Sequence, residues 1–176
     1  MLLPLAYYGD QVLRKKSVRI DEINDELRQL VLDMVETMRA HNGMGLAAVQ
    51  VSKPIAMFIT QQPVFNPETK QWEDGPLKVY INPRLVDPSK EICEESEGCL
   101  SLPGIRGNVA RPVSITVEAT DLEGNRFTEH LTGYEARCIM HENDHLNGIL
   151  YIDRITGKQR QLMEPVLTKI KKKHKK

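Results

Sequence analysis

The chain has 176 residues and balances 24 basic against 24 acidic side chains, with 40% hydrophobic residues, enough for one domain with a substantial core. No apolar run approaches the roughly 20 residues that a bilayer crossing needs, so no membrane span is expected. Three cysteines (Cys93, Cys99, Cys138) fit a reducing compartment better than a disulfide framework, and the opening run Met1-Leu2-Leu3-Pro4-Leu5-Ala6 lacks the basic start of a signal peptide, so a cytoplasmic protein is expected.

In chain order, Leu27, Leu30, Val31, Met34, Val35 and Met38 recur at helical spacing and predict an amphipathic helix over 25–41. Gly43-Met44-Gly45 ends it. Short β-rich runs predict strands at 55–60, 77–81 and 113–119, the last with alternating Val113, Ile115 and Val117. Residues 126–131 can pair with 113–119 across the turn Asp121-Leu122-Glu123-Gly124-Asn125. The polar segment 61–76, with three prolines, reads as a surface loop. A second helix is delimited by a capping box at Thr132 and Glu135 and by Gly148 at the position after its end. A final helix is predicted over 158–173, with Pro165 a candidate break. The fold class is α+β: a single domain with antiparallel β-sheets around a central helix, plus a C-terminal helix.

The zero net charge conceals an asymmetry. Residues 158–176 hold eight of the 24 basic residues and one acid, Glu164, so the rest carries sixteen bases against twenty-three acids. Such a tail is either a solvated terminus or an arm for a polyanion such as RNA.

The second helix carries His141-Glu142-Asn143-Asp144-His145, an H-E-x-x-H motif. Two histidines four residues apart project from one helix face and can hold one divalent metal. Glu142 between them then stands beside the open side of that metal, where a carboxylate can take a proton from water. Tyr134, Cys138, His141 and His145 form one stripe of this helix. A catalytic site of this kind wants a third protein ligand. Gly148 fits an extended metzincin pattern, but Tyr151 stands where that pattern needs its third histidine. Glu164 is a thermolysin-like candidate, and spacing alone does not choose between Cys93, Cys99 and Cys138.

Three blocks in order, Gly43-Met44-Gly45-Leu46-Ala47-Ala48-Val49-Gln50, Glu97-Gly98-Cys99-Leu100-Ser101 and His141-Glu142-Asn143-Asp144-His145-Leu146-Asn147-Gly148, resemble the peptide deformylase family. The resemblance spans nearly the whole chain and implies a hydrolase that removes the formyl group from the formyl-methionine of nascent polypeptides. It implies Cys99, His141 and His145 as metal ligands, with Fe2+ the common ion and Zn2+, Ni2+ or Co2+ able to replace it. It also implies attack by metal-bound hydroxide, Glu142 as general base and acid, and the Gln50 amide and Leu100 backbone N–H as oxyanion donors. Gly43, Met44 and Gly45 would receive the extended peptide, and Tyr134 and Cys138 would line a pocket for its first side chain. Residues 1–157 would be the catalytic domain and 158–176 a basic helix or tail of the same domain, available to the ribosome. Neither a membrane nor a specific DNA site is implied.

Some residues depart from the resembled pattern. Met140 replaces a common Gln, and Glu95 and Arg137 occupy pocket positions that are often aliphatic; an ion pair between these two is expected at the rim. Glu97 is expected to steady the loop around Cys99, and Asp144 either to be structural or to bond an imidazole or a nearby arginine. A small zinc endopeptidase using Glu164, or an RNA-associated module with a structural metal, are the readings from other classes.

Overall fold

Helix α1 (Asp25–Ala40) begins at Asn24, whose side-chain oxygen accepts the Leu27 amide at 2.9 Å and satisfies one donor that a helix start leaves open. Asp25 and Glu26 add negative charge where the helix dipole is positive. The expected apolar stripe is the buried face, from Leu27 through Val31 and Met34 to Met38. These features come from a computed structural model that describes residues 1–175; Lys176 of the basic tail lies outside them.

The chain continues through β1 (Gly45–Ala47), β2 (Met57–Thr60), β3 (Val64–Asn66), β4 (Gln71–Glu73), β5 (Lys78–Val86), β6 (Ile92–Cys99), β7 (Leu102–Pro112), β8 (Ser114–Thr120) and β9 (Arg126–Thr132), then α2 (Gly133–Leu146) and α3 (Gly157–His174). Five strands form one antiparallel sheet in the order β1-β2-β5-β8-β9, while β3–β4 and β6–β7 are separate two-stranded sheets.

Strand β2 shows how the layers form. Successive side chains of a strand point to opposite faces. Met57 and Ile59 therefore meet Val31, Met34 and Met38 of α1. Phe58 points the other way, into a cluster with Tyr80, Val117 and the α2 residues Ala136 and Ile139. Helices cover both faces, so all four residues of β2 are buried, three of them apolar. A third cluster joins Leu102 and Val109 of β7 to Met163 and Leu167 of α3. The α+β class with α2 at the centre is the architecture observed.

Three local expectations need correction. Segment 61–76 is no plain loop: β3 and β4 pair within it, with Phe65 opposite Trp72. Their rings meet edge-on, centroids 5.4 Å apart. Helix α2 has no capping bond from the Thr132 side chain. Gly133 turns the chain with φ +61°, and its N–H goes to the Val113 carbonyl at 2.9 Å instead. Pro165 lies inside α3 without ending it. It sits on the exposed face, while buried Met163, Leu167 and Ile170 anchor the helix on both sides of it. The long β6–β7 hairpin was also not anticipated, because its strands are rich in charge, glycine and proline.

The end of α2 is as expected. The Gly148 N–H bonds the His145 carbonyl at 3.1 Å and the Ile149 N–H bonds that of Asp144 at 2.9 Å, the double closure of a Schellman motif. Gly148 has φ +72°, and a Cβ there would stand 2.6 Å from the Arg14 carbonyl oxygen. Gly148→Ala should therefore cost about 1–2 kcal/mol from the left-handed backbone alone, with the clash adding to it. A fall in the urea midpoint checks this.

Candidate metal centre

His141 and His145 stand one turn apart on α2, their ring centroids 5.1 Å apart. Cys99 ends β6 at a point where the pairing register with β7 shifts, between Gly98 and Cys99. Such an irregularity re-aims a side chain. Here the Cys99 Sγ comes to 3.4 Å from His145 Nε2. One donor atom from each of Cys99, His141 and His145 lies within 4.8 Å of the others, and no second such trio of Cys, His, Asp or Glu occurs among the described residues. Glu164 is remote from this group: it is 53% exposed and accepts from Arg160 on its own helix. Cys93 donates instead to Glu95.

The donor set fits a divalent ion. A thiolate and two imidazoles suit zinc or iron, and three protein ligands leave a position for water. Glu142 supports the fit. Its side chain is buried, and its Oε1 has no protein hydrogen-bond partner. A buried oxygen in that condition is costly unless water or a cation answers it. Burial pushes the Glu142 carboxyl up to about 7. Burial opposes a proton on His141, but bonds to Cys99 and Glu97 outweigh it and hold that imidazole well above its ordinary range. His145 is held neutral, mainly by burial.

Behind the ligands runs a buried ion network. Glu97 accepts from Arg111 Nε at 2.6 Å and Nη2 at 2.9 Å, from Arg137 Nη1 at 2.6 Å, and from His141 Nδ1 at 2.9 Å. Burial works against the Glu97 charge, yet the bonds from Arg111 and His141 hold its carboxyl well below the usual carboxylate range. Arg111 also reaches Asp144 at 2.9 Å, and Asp144 accepts two bonds from Arg154 at 2.7 Å. The expected Glu95–Arg137 pair does not form: Arg137 is committed to Glu97 instead. Glu97 lies inside the protein, where attraction is poorly screened, whereas Glu95 is exposed. Glu97 therefore orients His141 itself, a closer role than steadying a loop.

On the open side is a cavity of about 740 Å³, lined among others by Gly43, Met44, Gly45, Gln50, Leu100 and Cys138. The glycines are required by closeness. A Cβ on Gly45 would lie 2.7 Å from Glu142 Oε2, and one on Gly43 2.9 Å from the Leu100 side chain. Gln50, only 2% exposed, accepts the Ala47 N–H on Oε1 at 3.0 Å. That bond forces its amide nitrogen toward Ser101 Oγ at 3.0 Å and Cys99 Sγ at 3.5 Å. Leu100 sits in the turn between β6 and β7, on the cavity wall. Cys138 also faces the cavity, its thiol pushed up to about 12 by burial and so neutral. Tyr134 is 68% exposed and Met44 52% exposed, so both stand at the rim and neither forms the cavity floor.

Residues 2–161 match the polypeptide deformylase family. The chain belongs to that family. It is 42% identical to a peptide deformylase of Microchaete diplosiphon over 153 residues, covering 87% of this chain and 79% of that one. Among solved structures, a peptide deformylase 1B mutant from Arabidopsis thaliana superposes with a TM-score of 0.88 at 34% identity, covering 97% of this chain and 90% of the other. A Met-Ala-Ser-bound class I type b peptide deformylase from Acinetobacter baumannii gives 0.80 at 34% identity, covering 88% and 99%. Deformylases are metal-dependent hydrolases that take the N-formyl group from nascent peptides. Among the described residues, no helix of this deformylase family member is long and apolar enough to cross a membrane.

Sequence reasoning named Ser101 only as the end of a resembling block and gave it no role, and it did not single out Arg111 or Arg154. A buried serine and an arginine in a strand carry no spacing signal. Their partners Gln50, Glu97 and Asp144 are 51, 14 and 10 residues away along the chain.

Proposed function

We propose that this chain hydrolyses the formamide of N-formyl-methionyl peptides in the cytoplasm, with Cys99, His141 and His145 holding one Fe2+, or Zn2+, Ni2+ or Co2+ in its place. The observation that carries the reading is the convergence of these three donors beside the unpartnered oxygen of Glu142. A divalent ion held there would polarise the formyl oxygen and make its water acidic enough to attack near neutral pH.

The remaining work falls to side chains and amides of this chain. Glu142 takes the proton of the attacking water on Oε1 and delivers it to the departing amine. The Gln50 amide and the Leu100 N–H donate to the oxygen on which negative charge grows; one such donor is worth about 3–4 kcal/mol of barrier. The peptide runs extended along Gly43 to Gly45 and bonds main-chain groups there, as an added strand does. Its first side chain enters the cavity toward Cys138, while Met44 and Tyr134 flank the entrance. The Met-Ala-Ser ligand of the Acinetobacter relative has the form of the expected product, a peptide with a free N-terminal methionine.

Residues 1–157 serve catalysis in this reading. Within 158–176, Lys158, Lys169, Lys171, Lys172, Lys173 and Lys175 give α3 and its end a positive field suited to ribosomal RNA. No specific DNA site and no membrane enter the reading.

Formyl-Met-Ala and anaerobically purified protein test it. Formate should appear in proportion to bound metal, and Cys99→Ala should abolish both metal binding and formate release. Formate production by metal-free protein, or full activity of Cys99→Ala, would refute the assignment.

A further inference from the structure

We propose that Arg137 is a positioning residue of the metal centre: it ties the hairpin bearing Cys99 to the helix bearing His141 and His145, and so fixes the thiolate relative to the two imidazoles. The idea rests on the deformylase reading above.

Arg137 sits one helical turn before His141 on α2 and is 7% exposed. Its Nη1 donates to Glu97 Oε2 at 2.6 Å and to the Val109 carbonyl at 2.9 Å, and its Nη2 donates to the Cys93 carbonyl at 2.8 Å. Cys93 and Glu97 belong to β6, and Val109 to β7. One rigid guanidinium thus grips both strands of the hairpin from the helix. Two of its acceptors are main-chain oxygens, so the grip is on the backbone that leads to Cys99, two residues beyond Glu97.

Glu97 extends this grip to His141. With two bonds from Arg111, one from Arg137 and one from His141, it accepts four in all, about the capacity of a carboxylate. Its plane has no freedom to rotate, and the ring bonded to it inherits that rigidity. Arg111 lies on β7 itself, paired in register with Cys93 of β6. Its bonds to Glu97 therefore close the hairpin internally, and its Nη1 makes a single tie to Asp144 near the end of α2, whereas Arg137 reaches from α2 to both strands of the hairpin. Lysine, with one compact ammonium, does not reproduce a planar fork spanning three acceptors. Arg137 also lines the cavity, which gives the rival role: a contact for substrate.

The test compares the wild type with Arg137→Met, Arg137→Lys and Val31→Ala, all loaded with Co2+. Val31 is a buried α1 residue in a different core cluster, so its truncation lowers stability without touching the centre. Three readouts are followed: the near-ultraviolet thiolate-to-cobalt band, the rate of cobalt loss to a chelator, and KM and kcat for formyl-Met-Ala. Arg137→Met should lose cobalt about 10–100-fold more readily, with a weakened or displaced band, as when an orienting partner of a ligand is removed. Arg137→Lys should fall between, and Val31→Ala should match the wild type in both. A wild-type band and chelator resistance in Arg137→Met overturn the proposal; if KM alone changes, Arg137 is a cavity contact. Should Arg137→Met fail to fold, wild-type behaviour of Arg137→Lys overturns it equally. A wild type with no thiolate band sinks the metal reading itself, a failure distinct from these.

Discussion

Glu142→Gln should leave the protein folded and fully metallated, yet lower kcat for formate release roughly a hundred- to ten-thousand-fold, the range for losing a general acid–base group. The substitution keeps the size and shape of the side chain. Glu142 is 4% exposed, between the two histidines, so a larger change would confound chemistry with packing. Its Oε1 has no protein partner to lose. Glutamine replaces a carboxyl that burial holds near 7 with an amide that accepts no proton at any working pH. None of the three donors of the centre is altered, so metal content by mass spectrometry should match the wild type. Cys99→Ala provides the contrast: it should lose metal and activity together. Activity of Glu142→Gln within about threefold of wild type would remove the base from the mechanism, since a positioned base is worth far more than that.

The centre was legible in the sequence to different depths, for physical reasons. His141 and His145 are local: a helix turns a spacing of four residues into one face, so the pair could be read directly. Cys99 lies 46 residues from His145, and its approach depends on the register shift at the end of β6. No periodicity encodes that, and only the family resemblance singled it out. Gln50 depends likewise on a turn whose Ala47 amide orients it. The amphipathic α1 and the β8–β9 hairpin were legible because each buries one face of a regular element. Strands β6 and β7 were not, because they show no apolar alternation: Glu94, Glu95 and Ser96 are exposed in succession, and the buried positions include Glu97, Gly107 and Arg111. A pattern of apolar residues says little where the core itself is ionic. The same fact explains the misassigned partner of Arg137: sequence shows which charges lie near each other along the chain, but burial decides which of them pair strongly.

That ionic core yields the second large effect. Glu97→Ala should destabilise the fold by roughly 3–5 kcal/mol, the cost of stripping one partner from a buried ion pair. For a chain of this size that amounts to about 6–20 °C in Tm. Arg111 and Arg137 would both lose their shared carboxylate, and their side chains are only 3% and 9% exposed. Asp144 still answers one Nη of Arg111, and two carbonyls still answer Arg137, so the loss stops short of unfolding the protein. The acid side of the stability curve tests the cause. The folded Glu97 titrates well below its ordinary value of 4.5. A depressed carboxylate contributes its full stability above its unfolded pKa and loses it as pH falls through the folded one. The gap between wild type and Glu97→Ala should therefore stay constant from neutral pH down to about 5 and narrow below 4.5. A gap that is small at neutral pH, or that does not close in acid, would mean that Glu97 contributes packing alone, and that the two arginines stabilise the site without it.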